Sequence, residues 1–247
     1  MDEQGKKIAL ITGANKGLGL ETARQLGRMG ITVLVGSRDL ARGEAAAAGL
    51  KGEGIDAFAL KLDVVEDADV RAAAGWIEER FGRLDILVNN AGVLLDQDRP
   101  HNRTSTTSQE LLRETFETNF FAVVALTQAL LPLLRKSAAG RVVNLVSILA
   151  SLTYHATPGS PVYDSNTFAY DTSKTALNSF TVHLAHELRH TKIKVNSADP
   201  GWPKTEMGGP NATMEISEGA RTPVELATLG EDGPTGGCFH AGEPVPW

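Results

Sequence analysis

Short, nearly continuous apolar runs rich in β-branched residues alternate along most of this chain with longer stretches of helical period. The runs lie at residues 8–12, 31–36, 57–62, 84–89, 141–147 and 193–198. The helical stretches lie at 17–29, 41–50, 68–81, 109–134 and 168–190. A strand that is apolar on both faces must be covered on both faces, and the intervening helices supply the cover. With right-handed crossovers, the pattern predicts an α/β fold built on one doubly wound parallel sheet. Ligands of such sheets sit beyond the carboxyl ends of the strands. Two long polar segments leave those ends: an insert at about 149–167, and a loop at about 200–223 with a short helix near 214–220. Loops of that length in a compact domain are usually functional.

At 247 residues the chain reads as one domain over 1–247, because open α/β sheets reach this size as a single unit. Its 42% hydrophobic and 22% charged residues are ordinary for a soluble globular protein. The formal net charge of −6 argues against nucleic acid or an anionic membrane as partner, since both need a basic patch. The single cysteine, Cys238, allows no disulfide framework. The opening MDEQGKK leads straight into IALIT without a signal-like apolar segment, and no apolar run approaches the length of a membrane span. A cytoplasmic location is the expectation.

The first apolar run is followed by TGANKGLG, Thr12 to Gly19, and then by a helix. Glycines here have separate uses: Gly13 for a tight turn, Gly17 for close approach of backbone to a pyrophosphate, Gly19 for close helix packing. The helix N-terminus then offers free N–H groups to phosphate. A glycine-rich turn alone is a weak signal, but its place between the first strand and a helix strengthens it. Sites for NAD usually carry an acid about 20 positions on, at the end of the second strand. Between Glu21 and Asp39 there is none, and Arg38 follows Ser37 there, with Lys16 inside the glycine loop. Two cations suit a 2′-phosphate, so NADP is the expected cofactor. The plainer alternative is that both are solvated surface charges.

Tyr170 and Lys174, in FAYDTSKTAL, lie four positions apart near the start of the last long helix and share a face. A phenol titrates near pH 10 in water, and a neighbouring ammonium stabilises its phenolate. That combination makes a tyrosine acid/base for carbonyl–alcohol chemistry. The same spacing also occurs as an ordinary surface pair.

Six motifs in order decide between those readings: TGANKGLG, NNAG at Asn89 to Gly92, ETNFF with Asn119, RVVNLVS ending in Ser147, YDTSK, and DPGW at Asp199 to Trp202. Together they resemble the short-chain dehydrogenase/reductase family over nearly the whole chain, and ITGANKGLGL, GSRDLARG, DPGWPKTEMGGP and EGARTPVELA resemble its carbonyl-reductase branch. The resemblance implies a Rossmann fold and an NADPH-dependent reductase of aldehydes, ketones or quinones. It implies that Tyr170 gives the proton and that Ser147 holds the substrate oxygen. Lys174 would bind the nicotinamide ribose and tune Tyr170, and Asn119 would hold a water that relays protons to Lys174. Asp63 would approach the adenine, and Asn89, Ala91 and Gly92 would line the adenosine side. Asn15, Leu18, Leu62, Pro200, Gly201 and Thr205 complete the cofactor contacts, together with the glycine loop, Arg38, Tyr170 and Lys174. Ser151 is the runner-up to Ser147, but only Ser147 ends a strand.

Two departures from the family pattern matter. Tyr170 follows Ser147 by 23 positions, a longer insert than the family's plain form, which leaves monomer or small homo-oligomer open. The family places a valine or isoleucine where this chain has Pro203, and uses its backbone N–H toward the nicotinamide amide; proline has no N–H.

The segment HELRH, His186 to His190, has the spacing of a zinc-hydrolase helix. The strand that follows at once and His183 on the same side favour a solvated helix face, and no metal is expected. A non-catalytic NADP-binding sensor on the same fold is the other alternative. The intact Ser/Tyr/Lys set argues for the enzyme, with a small carbonyl compound as its partner.

Overall fold

The structure is a computed structural model that describes residues 5–96 and 103–247. All six expected strands form: β1 (Ile8–Ile11), β2 (Thr32–Ser37), β3 (Ala57–Lys61), β4 (Ile86–Asn89), β5 (Arg141–Leu145) and β6 (Lys194–Ala198). Two short strands, β7 (Cys238–His240) and β8 (Glu243–Pro244), add to the edge. The sheet order is β3-β2-β1-β4-β5-β6-β7-β8, parallel except for the β7–β8 hairpin. The chain reverses direction across the sheet between β1 and β4, so a crevice opens beyond their carboxyl ends.

Strand alternation separates two cores. Leu10, Leu34, Leu87, Val142 and Val195 face α3 (Asp67–Phe81), α5 (Ala122–Leu134) and α7 (Phe168–Glu187). Ile11, Val35, Val88 and Val143 face α1 (Gly17–Arg28), α2 (Leu40–Gly52) and α9 (Arg221–Ala227). The remaining short helices are α4 (Gln109–Phe116), α6 (Leu152–Ala156) and α8 (Ile216–Gly219). The segment read as one helix from Gln109 to Leu134 is α4 and α5 joined by a wider π turn, Glu117–Phe121. By length and hydropathy it could cross a membrane, which the sequence reading did not anticipate because polar residues interrupt its apolar runs. Here Leu126, Leu130 and Leu134 pack it into the core.

One row of the first core is polar. Asn89, Asn144 and Ser197 are in register on β4, β5 and β6. Asn89 Nδ2 donates to Asn144 Oδ1 at 2.8 Å and to Thr127 Oγ1 of α5 at 3.0 Å. Asn144 Nδ2 donates to Thr181 Oγ1 of α7 at 2.8 Å, and Ser197 Oγ donates to the same hydroxyl at 2.9 Å. The row ties three strands to two helices just below the carboxyl edge. Because these groups are buried, each lost bond carries a desolvation cost. Asn144→Ala should lower the unfolding free energy by about 1–3 kcal/mol in urea titrations, since it leaves Asn89 and Thr181 short of partners.

Candidate active site

At the crevice the glycine loop is fastened to the chain after β4. Thr12 Oγ1 accepts the N–H groups of Asn90 and Ala91, both at 2.9 Å, and Asn90 Nδ2 donates to Thr12 O at 2.7 Å. Gly19 has no room for a side chain: a Cβ there would lie 2.5 Å from Asn90 Nδ2. Gly13 and Gly17 hold φ of 62° and 56°, conformations that favour glycine. The first turn of α1 has no side-chain cap and no acid, so its N–H donors remain for an anion. These residues fit a dinucleotide pyrophosphate.

Beyond β5, Ser147 begins the turn that leads into the insert, and its Oγ accepts the Leu149 N–H at 3.2 Å. Ser151 is occupied otherwise: it caps α6 by accepting the Tyr154 N–H at 3.2 Å. Tyr170 and Lys174 project from α7 and are 8% and 4% exposed. Lys174 Nζ donates to Leu145 O, two residues before Ser147, at 2.8 Å, and lies 5.7 Å from the Tyr170 ring centroid. Thr175 Oγ1 donates to Ala150 O at 2.9 Å and so pins α7 to the same turn. Asn119 sits in the π turn and is fully buried. Its amide pairs with the Val93 backbone at both ends, at 2.8 and 2.9 Å, and donates to Ser173 Oγ at 3.0 Å. A Cβ on Gly92 would lie 3.2 Å from Asn119 Oδ1 and 3.5 Å from Lys174 Nζ, so amide and ammonium flank one narrow space.

The electrostatics differ from the simple tyrosine–lysine picture. Burial, then the charges of Asp199, Asp171 and Asp96, push the Tyr170 phenol above its ordinary value. Lys174 does not overturn that balance, and burial lowers its own ammonium to about 8. In the ligand-free fold Tyr170 is therefore a protonated acid, with a positive lysine beside it at neutral pH.

The model of the family described as "short chain dehydrogenase" matches residues 7–216. The chain belongs to the short-chain dehydrogenase family. Short-chain dehydrogenase anuI of Penicillium roqueforti is 38% identical, covering 91% of this chain and 90% of that protein. Carbonyl reductase [NADPH] 1 of Pongo abelii is 34% identical, covering 94% and 95%. The crystal structure of NADPH-bound carbonyl reductase from chicken fatty liver superposes with a TM-score of 0.84 at 25% identity, covering 98% and 99%.

In this short-chain dehydrogenase the expected cofactor residues fall into distinct groups. Gly17 lies against Thr205, whose methyl would be 3.6 Å from an added Cβ, so the loop after β6 closes on the glycine loop. Asn15 and Leu18 lie in the same glycine loop and first turn of α1. Lys16 is not free: its ammonium pairs with Glu206 of that loop. Arg38 is exposed beyond β2, and the next residue, Asp39, caps α2 by accepting the Arg42 N–H at 3.1 Å. Leu62 is buried in the core, and its N–H donates to Ser37 O at 2.9 Å. Asp63 follows it, where its N–H donates to Asp69 Oδ2 at 2.8 Å. The Asn89 side chain belongs to the polar row under α5 and α7, while Ala91 and Gly92 line the crevice. Pro200 and Gly201 start the loop after β6. Pro203 is buried there and bridges Met214, with Lys204 N–H donating to Met214 O at 2.9 Å. The proline anchors this loop where the family pattern has a donor.

Sequence reasoning missed Asn90, Thr12, Ser173 and Asp96. Asp96 accepts the Ala169 N–H at 2.8 Å and caps the helix that carries Tyr170. Thr12, Asn90 and Ser173 lay inside quoted motifs, but their partners are distant in sequence; Asp96 lies outside every motif and acts through such a contact. The HELRH histidines do not share a helix face, because α7 ends at Glu187 and His190 lies in the following turn. The Cys238 thiol is pushed up to about 12, chiefly by burial, and is unreactive.

Asp171 gives a test of this acidic surround. It accepts from Thr167 Oγ1 at 2.8 Å and lies 3.6 Å from His155, yet burial raises its carboxyl to about 6, with Asp96 adding to the rise. A raised carboxyl pKa destabilises the fold above the folded value, and the cost fades as pH falls from there toward the unfolded value. Asp171→Asn should therefore raise the melting temperature at pH 7.5 and lose that advantage as the pH falls from about 6 toward 4.

Proposed function

We propose that this chain is an NADPH-dependent reductase of aldehydes, ketones or quinones, with Tyr170 as the proton donor. The observation that carries the reading is the buried, protonated Tyr170 one helical turn from Lys174, whose ammonium reaches the strand end at Leu145, two residues before Ser147. The similarity to carbonyl reductase [NADPH] 1 and to an NADPH-bound carbonyl reductase structure supports it.

Bound NADPH would supply the hydride that reduces the carbonyl carbon. The glycine loop and the N-terminus of α1 would hold its phosphates, and Arg38 its 2′-phosphate. Ser147 keeps its hydroxyl proton available, because its oxygen accepts from Leu149, and so can donate to the substrate oxygen. Tyr170 gives its proton to that oxygen as the carbonyl becomes an alcohol. Lys174 steadies the phenolate left behind and lies on the same side of Gly92 as the Asn119 amide. Asn119, held by the Val93 backbone, would keep the water that relays a proton toward Lys174.

Tyr170→Phe should cut the rate over a panel of carbonyl compounds by at least the roughly 10²–10⁴-fold typical of lost acid catalysis, with NADPH binding kept. Near-normal turnover would remove Tyr170 from this role, and NADPH binding with no turnover anywhere in the wild-type panel would point to a non-catalytic binder. The cofactor assignment has its own check. With Lys16 held by Glu206, Arg38 carries the preference, so Arg38→Asp should weaken NADPH and spare NADH. Equal kcat/KM for the two cofactors in the wild type would overturn it.

A further inference from the structure

The glycine loop is gripped from two sides. On one side the Ala14 N–H donates to Gly36 O near the end of β2 at 3.0 Å. Lys16 and Arg38, each two residues further on, therefore leave neighbouring points of the carboxyl edge. The acid on this side, Asp39, pairs with Arg42 at 3.3 Å. On the other side the loop after β6 reaches across to Lys16, whose ammonium pairs with the Glu206 carboxylate. That reach is built into the loop. Thr205, against Gly17, accepts the Gly208 N–H on its hydroxyl at 3.0 Å and the Gly209 N–H on its carbonyl at 3.1 Å. Trp202 Nε1 donates to Gly208 O at 2.8 Å. Gln25 Nε2 of α1 donates to Ser217 O at 2.8 Å and holds the far end of the loop. Glu206 is thus presented to the glycine loop by a turn whose flanks are both fastened.

We propose that Glu206 is a specificity-determining residue: it competes with the cofactor's 2′-phosphate for Lys16 and so limits the preference for NADPH over NADH. This rests on the NADPH reading proposed above. A lysine ammonium is a point charge with three donors on a flexible stem, so it turns from one anion to another without moving the backbone. A 2′-phosphate held by Arg38 draws Lys16 toward the β2 side, and the pair with Glu206 opens. NADH carries no such phosphate and leaves the pair closed. The Glu206 charge also opposes an incoming phosphate directly, which acts in the same direction. Both side chains of the pair are largely exposed. An exposed pair contributes little, so Glu206 tunes the affinity by about two- to fivefold rather than blocking the phosphate outright.

Glu206→Gln removes the charge and keeps the size of an exposed side chain. Calorimetric titrations at low salt with 2′,5′-ADP and 5′-AMP isolate the phosphate from the rest of the cofactor and need no turnover. The variant should bind 2′,5′-ADP about two- to fivefold tighter than the wild type and 5′-AMP equally well. NADPH should follow the first probe and NADH the second. In a Lys16→Gln background the gain from Glu206→Gln should largely vanish, because the contested cation is gone. A gain that persists in full there overturns the competition. So does a loss of NADPH and NADH affinity alike in Glu206→Gln, which would make the pair a clasp over the bound cofactor. A wild type that prefers 2′,5′-ADP, with the same Kd in Glu206→Gln, rejects the inference and leaves the NADPH reading standing. If neither protein distinguishes 2′,5′-ADP from 5′-AMP, the NADPH reading fails and the inference falls with it.

Discussion

Desolvation of two side chains, Tyr170 and Lys174, is the constraint around which this active site is arranged. Burial disfavours a phenolate and an ammonium alike, so it moves the two groups toward their neutral forms from opposite ends of the pH scale. A buried ammonium must be hydrogen-bonded, and Leu145 O provides one bond at the end of β5. That bond in turn fixes α7 against the strand whose next residues lead to Ser147. Placement of the three candidate side chains is tied to satisfying one buried charge.

The surrounding framework keeps these groups from relaxing. Asp96 caps α7 from a distant part of the chain, Thr175 binds the turn after Ser147, and the Asn89–Asn144–Ser197 row fixes the strand ends beneath α5 and α7. On the cofactor side, Thr12 and Asn90 lock the glycine loop to the chain after β4. Most of these bonds are buried, where a polar group without a partner is costly, so each polar side chain has one favoured arrangement. The π turn at Glu117–Phe121 is the place where the long helix gives up regularity. Asn119 lies within it and reaches the Val93 backbone from there.

Much of this was legible in the residues. The six long strands are apolar on both faces, and that pattern is local. The glycine loop is legible for the same reason: Gly13, Gly17 and Gly19 answer to a turn and to close contacts within a few residues. The strand β7 was not legible, because three residues, CFH, between glycine-rich segments carry no period, and their pairing with β6 is non-local. The pairing of Lys16 with Glu206 was hidden for a similar reason. Only the folded loop after β6 brings that acid to the glycine loop.

By itself, the sequence determined the order of strands and helices, the doubly wound class, the location of the crevice and the choice of Ser147, Tyr170 and Lys174 as candidates. Each of these is written in periodicity or in motifs whose members lie on one turn, strand or helix. Tertiary structure alone decided the electrostatic state of the site. Lys174 was expected to lower Tyr170, yet burial and the carboxylates of Asp199, Asp171 and Asp96 raise it. Those acids arrive from three separate segments of the chain. Coulomb energy depends on distance and on the medium between charges, and neither exists until the segments have packed.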